Sequence, residues 1–150
     1  MIHGDDFYRD MDDTDRRKLS AIQGVDRYFD WQRLRNEALL PLTCRKSARF
    51  GCFNWAVGHG LTPPVIVDAR EIVIVEGVYS ARPEFDDLLD LRVLVEVSDQ
   101  LREQRRQARP RTVSRDDPQG WDALWDAAES VYFDTIRPRS AFDLIVTGDT

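Results

Sequence analysis

The sequence I-V-I-V-E-G at residues 72–77 indicates the fold more clearly than any other stretch of the chain. Its first four residues are all β-branched, which favours a β-strand buried on both faces, as in the parallel sheets of α/β proteins. Glu76 follows, so an acidic side chain is expected at the carboxyl end of this strand. Gly77 then permits a tight turn away from the sheet.

Two further apolar runs on the C-terminal side predict strands at residues 91–97 and 142–146. Helical patterns accompany them at residues 83–89, 99–108 and 118–136. Strands that alternate with helices are typical of a layered α/β fold. We therefore expect the three strands to lie in one parallel sheet with helices on both of its faces.

The N-terminal half begins with residues 1–3, which resemble the end of a strand that opens into a polar loop. Residues 12–22 predict a short helix that ends before Gly24, and residues 26–40 predict an amphipathic helix that ends at Pro41. Residues 49–67 contain aromatic and β-branched stretches interrupted by glycine and proline, which predict a small two-stranded excursion. No linker divides the chain, so we expect a single domain over residues 1–150.

The composition indicates a globular protein, because 42% of the 150 residues are hydrophobic and 10% are aromatic. A net charge of −6 argues against a general nucleic-acid-binding surface. Lys18 and Lys46 are the only lysines among 21 basic residues; this arginine bias suits phosphate binding but also follows from a GC-rich genome. Cys44 and Cys52 lack metal-ligand spacing, and no apolar run approaches the roughly 20 residues that span a membrane. We expect a cytoplasmic protein with reduced thiols.

Carboxylates are expected at the ends of two strands. Asp5 follows the strand at residues 1–3, and Glu76 ends the strand at residues 72–75. Open α/β sheets bind their ligands at the carboxyl ends of the strands. A phosphotransferase needs a carboxylate there to deprotonate or orient the acceptor hydroxyl, or to support Mg²⁺. The alternative for Asp5 is a turn or helix-capping aspartate.

An arginine cluster is predicted on the helix at residues 99–108. Arg102, Arg105 and Arg106 have i, i+3, i+4 spacing and share one helix face, and Arg109 continues the cluster beyond the helix. Several guanidinium groups on one face could neutralise a phosphoryl group during its transfer. The alternative is a solvated helix face.

The order of these features resembles the uridine kinase family of P-loop phosphotransferases, a superfamily that includes phosphoribulokinases and pantothenate kinases. The matching segments, in order, are Asp5 to Tyr8 (D-x-F-Y), Phe29-Asp30, Phe53-Asn54-Trp55, Val75 to Val78 (E-G-V strand end), the arginines at 102, 105 and 106, and the closing helix and strand. The resemblance covers nearly the whole chain. It implies a three-layer P-loop NTPase-type sheet and ATP-dependent phosphoryl transfer to the 5′-hydroxyl of uridine, cytidine or a similar small alcohol.

The resemblance also assigns a role to each matching residue. It makes Asp5 the general base or a water-mediated Mg²⁺ contact, with Glu76 also supporting Mg²⁺. It assigns Asp30 to the ribose hydroxyls, and Tyr8, Phe53 and His59 to the base or sugar. It makes Arg102, Arg105 and Arg106 catalytic residues that bridge the donor and acceptor phosphates, and it assigns Arg106 and Arg109 to binding ATP or GTP. The partners would be a nucleoside or alcohol acceptor and a nucleotide donor, without nucleic acid or membrane; the oligomeric state stays open.

Two departures from the family pattern affect what is expected. Phe53 and Asn54 stand where the family has Tyr and Asp, which leaves the acceptor open. Neither lysine lies in a G-x-x-x-x-G-K-[ST] loop, so the first strand, the phosphate loop and the first helix are expected to be missing through N-terminal truncation. Without them, we expect no kinase activity from these 150 residues. The alternative is a non-catalytic ligand-binding or regulatory pseudokinase fragment.

Overall fold

A computed structural model describes residues 1–108 and 121–148 of the chain. The strands are β1 (Ile2–His3), β2 (Ala48–Phe50), β3 (Val65–Val67), β4 (Val75–Glu76), β5 (Val93–Glu96) and β6 (Leu144–Thr147). The α-helices are α1 (Asp13–Arg17), α2 (Ala21–Arg27), α3 (Trp31–Arg33), α4 (Leu40–Thr43), α5 (Asp99–Ala108) and α6 (Trp121–Val131). Short 3₁₀ turns cover Gly4–Phe7, Pro83–Phe85 and Arg139–Ala141, and π-helical turns cover Leu34–Leu39 and Tyr132–Ile136. The chain is therefore a mixed α/β structure, and among the described residues no helix is long and apolar enough to cross a membrane.

Strands β1 and β4 form a parallel pair that brings the two predicted strand ends side by side. Ile2 pairs with Val75 and His3 with Glu76. Immediately beyond, Gly4 lies so close to the Glu76 carbonyl oxygen that a Cβ added at Gly4 would be 3.0 Å from it. The absence of a side chain at Gly4 therefore lets the turn that carries Asp5 pack directly against the end of β4.

Strands β5 and β6 form a second parallel pair, with Val93 opposite Leu144 and Glu96 opposite Thr147. Strand β5 lies within the predicted stretch 91–97, and β6 begins inside the predicted stretch 142–146 and ends one residue past it. Of the predicted stretch 72–75, only Val75 lies in a strand. The prediction that all three lie in one sheet is wrong for the part of the chain that the structure describes, because β4 pairs with β1 and β5 pairs with β6 in separate two-stranded sheets. The pattern of apolar residues within a short stretch predicts where a strand forms, whereas strand pairing is decided by contacts between distant segments.

The N-terminal helices differ from the sequence prediction at Gly24. The predicted helix at residues 12–22 is two helices, and Gly24 lies inside α2 instead of ending a helix. Helix α2 begins at Ser20, where a reciprocal capping box with Gln23 satisfies backbone groups of the first turn. Gly24 is buried beneath the ring of Tyr28, whose Cε2 would be 2.6 Å from an added Cβ. The glycine is therefore explained by packing within the helix.

Substitution Gly24→Ala is expected to destabilise the protein by about 1–3 kcal/mol, as overpacking does. An unobstructed alanine would instead stabilise a helix by up to about 1 kcal/mol relative to glycine. The difference arises because Tyr28 is fully buried and lies 4.5 Å from the Trp125 ring, so it has no room to retreat. Urea unfolding measures the change in the free energy of unfolding. Ser130→Ala, at an exposed position of α6, is the control. A stabilised Gly24→Ala protein would contradict the packing explanation.

The helix predicted over residues 26–40 begins later and continues past Pro41. It starts at Trp31, where the Asp30 side chain accepts a hydrogen bond from the Arg33 backbone N–H, and reaches Thr43. A π-helical turn over Leu34–Leu39 widens the hydrogen-bond pattern. The α-helical pattern resumes at Leu40, so Pro41 directly follows the π-helical turn inside a continuous helical segment. Proline therefore does not end this helix.

The remaining predicted elements are mostly confirmed. Helix α5 begins at Asp99 as predicted and continues to Ala108, the last described residue before the gap, and the two-stranded excursion is the antiparallel pair β2–β3. The helix predicted at residues 83–89 is only a 3₁₀ turn over Pro83–Phe85, because the chain turns again beyond it. Residues 118–120 of the last predicted helix lie outside the described residues, and its remainder is α6 with its π-helical end.

Two apolar clusters hold these elements together. The first joins β1, the helix at residues 31–43 and β2, and contains Ile2, Phe7, Leu34, Ala38, Leu39, Leu42, Ala48, Phe50 and Phe85. The second lies where α2 packs on α6, and contains Leu19, Val25, Tyr28, Tyr79, Ala128 and Tyr132. The turn at Gly4–Phe7 contributes Phe7 to the first cluster, so it is anchored in a core.

Candidate functional site

The turn Gly4–Phe7 is the centre of the candidate site. Asp5 is exposed on this turn, and its neighbours on both sides are buried or half-buried. The Phe7 carbonyl accepts a hydrogen bond from the Asp30 backbone N–H at 2.7 Å, and the Asp6 carbonyl accepts one from Phe53 N–H at 2.7 Å. Three of the segments predicted to form the site are thus connected by backbone hydrogen bonds, although they are distant in sequence.

Asp30 has a structural role in addition to its predicted binding role. Its carboxylate caps α3 and lies 3.5 Å from Arg9 Nη2. Arg9 also donates to Gln32. A ligand hydroxyl at Asp30 would therefore share the carboxylate with a helix cap and an arginine.

Glu76 has a partner that sequence reasoning missed. His3 Nδ1 lies 2.6 Å from Glu76 Oε1, and both side chains are about half exposed. The available signal was the position of His3 at the end of the strand that precedes Asp5, but its pairing with Glu76 required the register of β1 against β4. His3 fixes one oxygen of the carboxylate that was predicted to support Mg²⁺.

Tyr8 lies at the centre of an aromatic cluster and is only 7% exposed. Its ring centroid lies 5.0 Å from Phe53, 5.0 Å from Trp55, 5.6 Å from Phe29 and 5.7 Å from Trp125. Trp55 is 47% exposed, so it presents the open surface of the cluster. Tyr8 and Phe53 were predicted to contact the acceptor; the structure brings them together, and it adds Trp55 and Trp125.

A buried arginine closes the inner side of this cluster. Arg16 is 2% exposed, and its guanidinium carbon lies 4.1 Å from the centroid of the Tyr8 ring, a cation–π arrangement. Its Nη2 donates to the carbonyls of Arg9 and Met11. Nothing in the local sequence distinguished Arg16 from the neighbouring exposed charges of α1.

The tip of the β2–β3 excursion carries His59, which is exposed. The tip is attached to the N-terminal segment because Gly60 N–H donates to Asp10 Oδ2 at 3.0 Å. Phe53 forms an isolated bridge with Leu61, which places the two sides of the tip next to each other. His59 is therefore on the same excursion as Phe53, at its solvent-exposed end.

The predicted arginines lie on or beyond α5. Arg102 Nη2 contacts Glu129 Oε2 at 2.6 Å and Asp126 Oδ1 at 3.4 Å, both on α6. Arg105 Nη2 donates to the Gly148 carbonyl at 2.9 Å, beyond the end of β6. The side chain of Arg106 and all of Arg109 lie outside what the structure describes. Arg102 is thus attached to α6 and Arg105 to the residue after β6.

A small cavity lies beside Asp5. Its volume of about 20 Å³ suits a single water molecule. Its lining includes Asp5, Phe29, Tyr79, Ser80 and Arg82. A ligand larger than water would therefore have to lie outside this cavity or enlarge it.

The acidic residues fit Mg²⁺ only in combination with a phosphate ligand. Among residues 1–108 and 121–148, no three His, Cys, Asp or Glu side chains are grouped to hold a metal ion. Asp5 and Glu76 supply carboxylate oxygens at adjacent strand ends. Magnesium sites in nucleotide enzymes use one or two carboxylates together with phosphates and water. The residues present therefore suit a Mg²⁺ ion that arrives with a nucleotide.

The stability of the protein is expected to fall as the pH rises through the titration of Glu129. Burial raises the pKa of this carboxyl above its ordinary 4.5, against the opposing charge of Arg102. The folded state therefore binds the proton more tightly than the unfolded state, so this contribution is present below pH 4.5 and is lost as the pH rises through the higher folded pKa. Urea unfolding from pH 4 to 7 checks this by giving the free energy of unfolding as a function of pH. Glu129→Gln should remove the part of its pH dependence that comes from Glu129. An unchanged pH dependence in Glu129→Gln would contradict it.

Comparison of the sequence with the models of known protein families gave no match, and neither did comparison with curated proteins. The function is therefore argued from the residues and their geometry.

Proposed function

We propose that this chain is the acceptor-binding part of an ATP- or GTP-dependent phosphotransferase of the uridine kinase type. In this proposal Asp5 is the general base for the hydroxyl of a nucleoside or similar small alcohol. Asp30 binds further hydroxyls of the acceptor, and Glu76 supports the Mg²⁺ ion that accompanies the nucleotide. The aromatic surface around Trp55 contacts the flat part of the acceptor.

The observation that carries the proposal is that the backbone segments bearing Asp5, Glu76 and Asp30 meet at the turn Gly4–Phe7. Asp5 and Glu76 follow adjacent parallel strands whose last residues, His3 and Glu76, are in register. The Asp30 backbone is hydrogen-bonded to the same turn. A carboxylate at the carboxyl edge of a parallel sheet, beside a second carboxylate for metal and an aromatic surface, suits transfer to a hydroxyl acceptor.

Exposed apolar residues in and beside β4 and β5 support the proposal that a further strand pairs with these two strands. Strands of parallel sheets are normally buried on both faces. Here Ile72 is 79% exposed and Ile74 56% exposed beside β4, and Val95 in β5 is 60% exposed. Among the described residues, β4 and β5 each pair with one strand only. We propose that a strand followed by a glycine-rich phosphate loop and a helix, supplied N-terminal to Met1, covers these residues.

The test compares the 150-residue chain with a version extended by such a segment. Each protein is incubated with Mg²⁺, labelled ATP or GTP, and a panel of nucleosides and small alcohols. We expect transfer only by the extended protein, because the backbone N–H groups and lysine of a phosphate loop position the β- and γ-phosphates. Calorimetry with the same panel should detect acceptor binding to both proteins.

Comparable transfer by both proteins would contradict the need for the added segment. Acceptor binding without transfer by either protein would favour the alternative, a non-catalytic binding or regulatory role. A protein that neither binds nor phosphorylates any member of the panel would exclude the proposal.

A further inference from the structure

Arg102 is attached to α6 through a single nitrogen. Its Nη2 contacts both Glu129 and Asp126, at 2.6 and 3.4 Å. Within the described part of the chain, the structure shows no hydrogen bond donated by Nε or Nη1 of Arg102. The side chain as a whole is half exposed. An open cleft of about 410 Å³ lies here between α5 and α6, lined by Asp99, Arg102, Glu103 and Asp126.

Glu129 is the better placed of the two carboxylates to fix the arginine. Glu129 is 27% exposed, whereas Asp126 is 65% exposed. The distance to Arg102 Nη2 is 2.6 Å from Glu129 and 3.4 Å from Asp126. An ion pair that is partly withdrawn from water holds its geometry better than an exposed pair, which is strongly screened. Glu129 therefore restricts the position of the Arg102 guanidinium.

The helix that carries Glu129 also reaches the candidate acceptor site. Trp125 is one turn before Glu129 on α6, and its ring lies 5.7 Å from Tyr8 and 5.6 Å from Phe29. The same helix packs against α2. Through α6, the arginine has a fixed structural connection to the aromatic surface beside Asp5.

We propose that Glu129 is a positioning residue that holds Arg102 by Nη2 and leaves Nε and Nη1 to bind a phosphate group of the nucleotide. This inference rests on the proposed function, since it identifies how one arginine of that site is held. A guanidinium that is already ordered loses less side-chain entropy on binding than a freely rotating one. The role of Glu129 is thus to lower the cost of phosphate binding by Arg102, without contact with the phosphate.

The test uses the 150-residue chain and pyrophosphate, with binding followed by NMR at the Arg102 Nε–Hε resonance. This resonance is assigned by its absence in Arg102→Lys. We expect pyrophosphate to shift it, and we expect Glu129→Ala to weaken binding by roughly threefold to tenfold because the side chain must then be ordered on binding. Glu129→Gln, which keeps an oxygen acceptor of the same size, should retain part of the affinity. Asp126→Asn is a second variant, and we expect it to change the pyrophosphate affinity less than Glu129→Ala does.

The direction of the change distinguishes positioning from simple charge removal. Removal of a negative charge near a polyanion should by itself strengthen binding. Asp99→Asn is the matched control, because Asp99 lines the same cleft but, among the described residues, forms no hydrogen bond or ion pair with Arg102. Weaker binding in Glu129→Ala together with equal or stronger binding in Asp99→Asn supports the proposal.

Equal or stronger binding in the Glu129 variants overturns it, and so does an Arg102 resonance that pyrophosphate does not shift. Circular dichroism verifies that each variant is folded. Either negative result leaves the proposed function to be decided separately, because the phosphotransfer assay depends on Asp5 and the added phosphate loop.

Discussion

Asp5→Asn in the extended protein is expected to reduce turnover on the order of a hundredfold or more, the usual contribution of a general base. Asparagine has nearly the size of aspartate but cannot accept the proton of an acceptor hydroxyl at neutral pH. The surrounding turn should keep its shape, because it is held by backbone contacts at Gly4, Phe7 and Asp6. The loss should therefore appear in turnover, with acceptor affinity much less affected.

Asp6→Asn is the matched control for Asp5→Asn. Asp6 is the adjacent carboxylate on the same turn, and its backbone carbonyl accepts hydrogen bonds from Phe53 N–H and Arg33 Nη2. Because the substitution leaves that carbonyl unchanged, we expect little change in turnover. Steady-state kinetics at a saturating acceptor concentration compares the turnover of Asp5→Asn with that of Asp6→Asn. Unchanged turnover in Asp5→Asn, or an equal loss in both variants, would reject Asp5 as the base.

Tyr8→Ala is expected to destabilise the protein by about 3–5 kcal/mol, as truncation of a buried aromatic side chain does. Tyr8 is surrounded by four aromatic rings, and the Arg16 guanidinium lies against its face. Its removal leaves a cavity and also removes the ring that covers a buried charge. For a protein of this size, each kcal/mol corresponds to roughly 2–4 °C in the melting temperature.

Tyr8→Phe provides the comparison, because it keeps the ring and its contacts. We expect it to be much closer to the unsubstituted protein in thermal and urea unfolding. If Tyr8→Ala were as stable as Tyr8→Phe, the aromatic cluster would not be a structural centre of the site. The pair also separates a scaffold role of Tyr8 from direct acceptor contact, since Tyr8 is almost fully buried.

Much of the local structure was predictable from short patterns. Residues 72–75 and 91–97 are rich in β-branched residues, and strands form within or next to both stretches. The start of α5 at Asp99 matches the prediction, and an acidic residue in the first turn suits the N-terminus of a helix. The excursion at residues 49–67 followed from β-branched runs separated by glycine and proline.

The errors have specific physical causes. Gly24 was expected to end a helix because glycine has low helix propensity, but contact with the buried Tyr28 ring decides its position. Pro41 was expected to end the next helix, but the chain passes through a π-helical turn just before it and stays helical to Thr43. In both cases a packing or hydrogen-bond arrangement outweighed a local preference.

The sequence by itself determined which segments favour strand or helix and placed Asp5 and Glu76 at strand ends, because these properties depend on backbone preferences and side-chain periodicity over a few residues. Only the tertiary structure decided that β4 pairs with β1 and β5 with β6, that His3 contacts Glu76, and that Arg102 is held by Glu129. These outcomes join residues between 27 and 73 positions apart. Such contacts depend on strand register, on the angle at which helices pack and on shared burial, none of which a short stretch of sequence encodes.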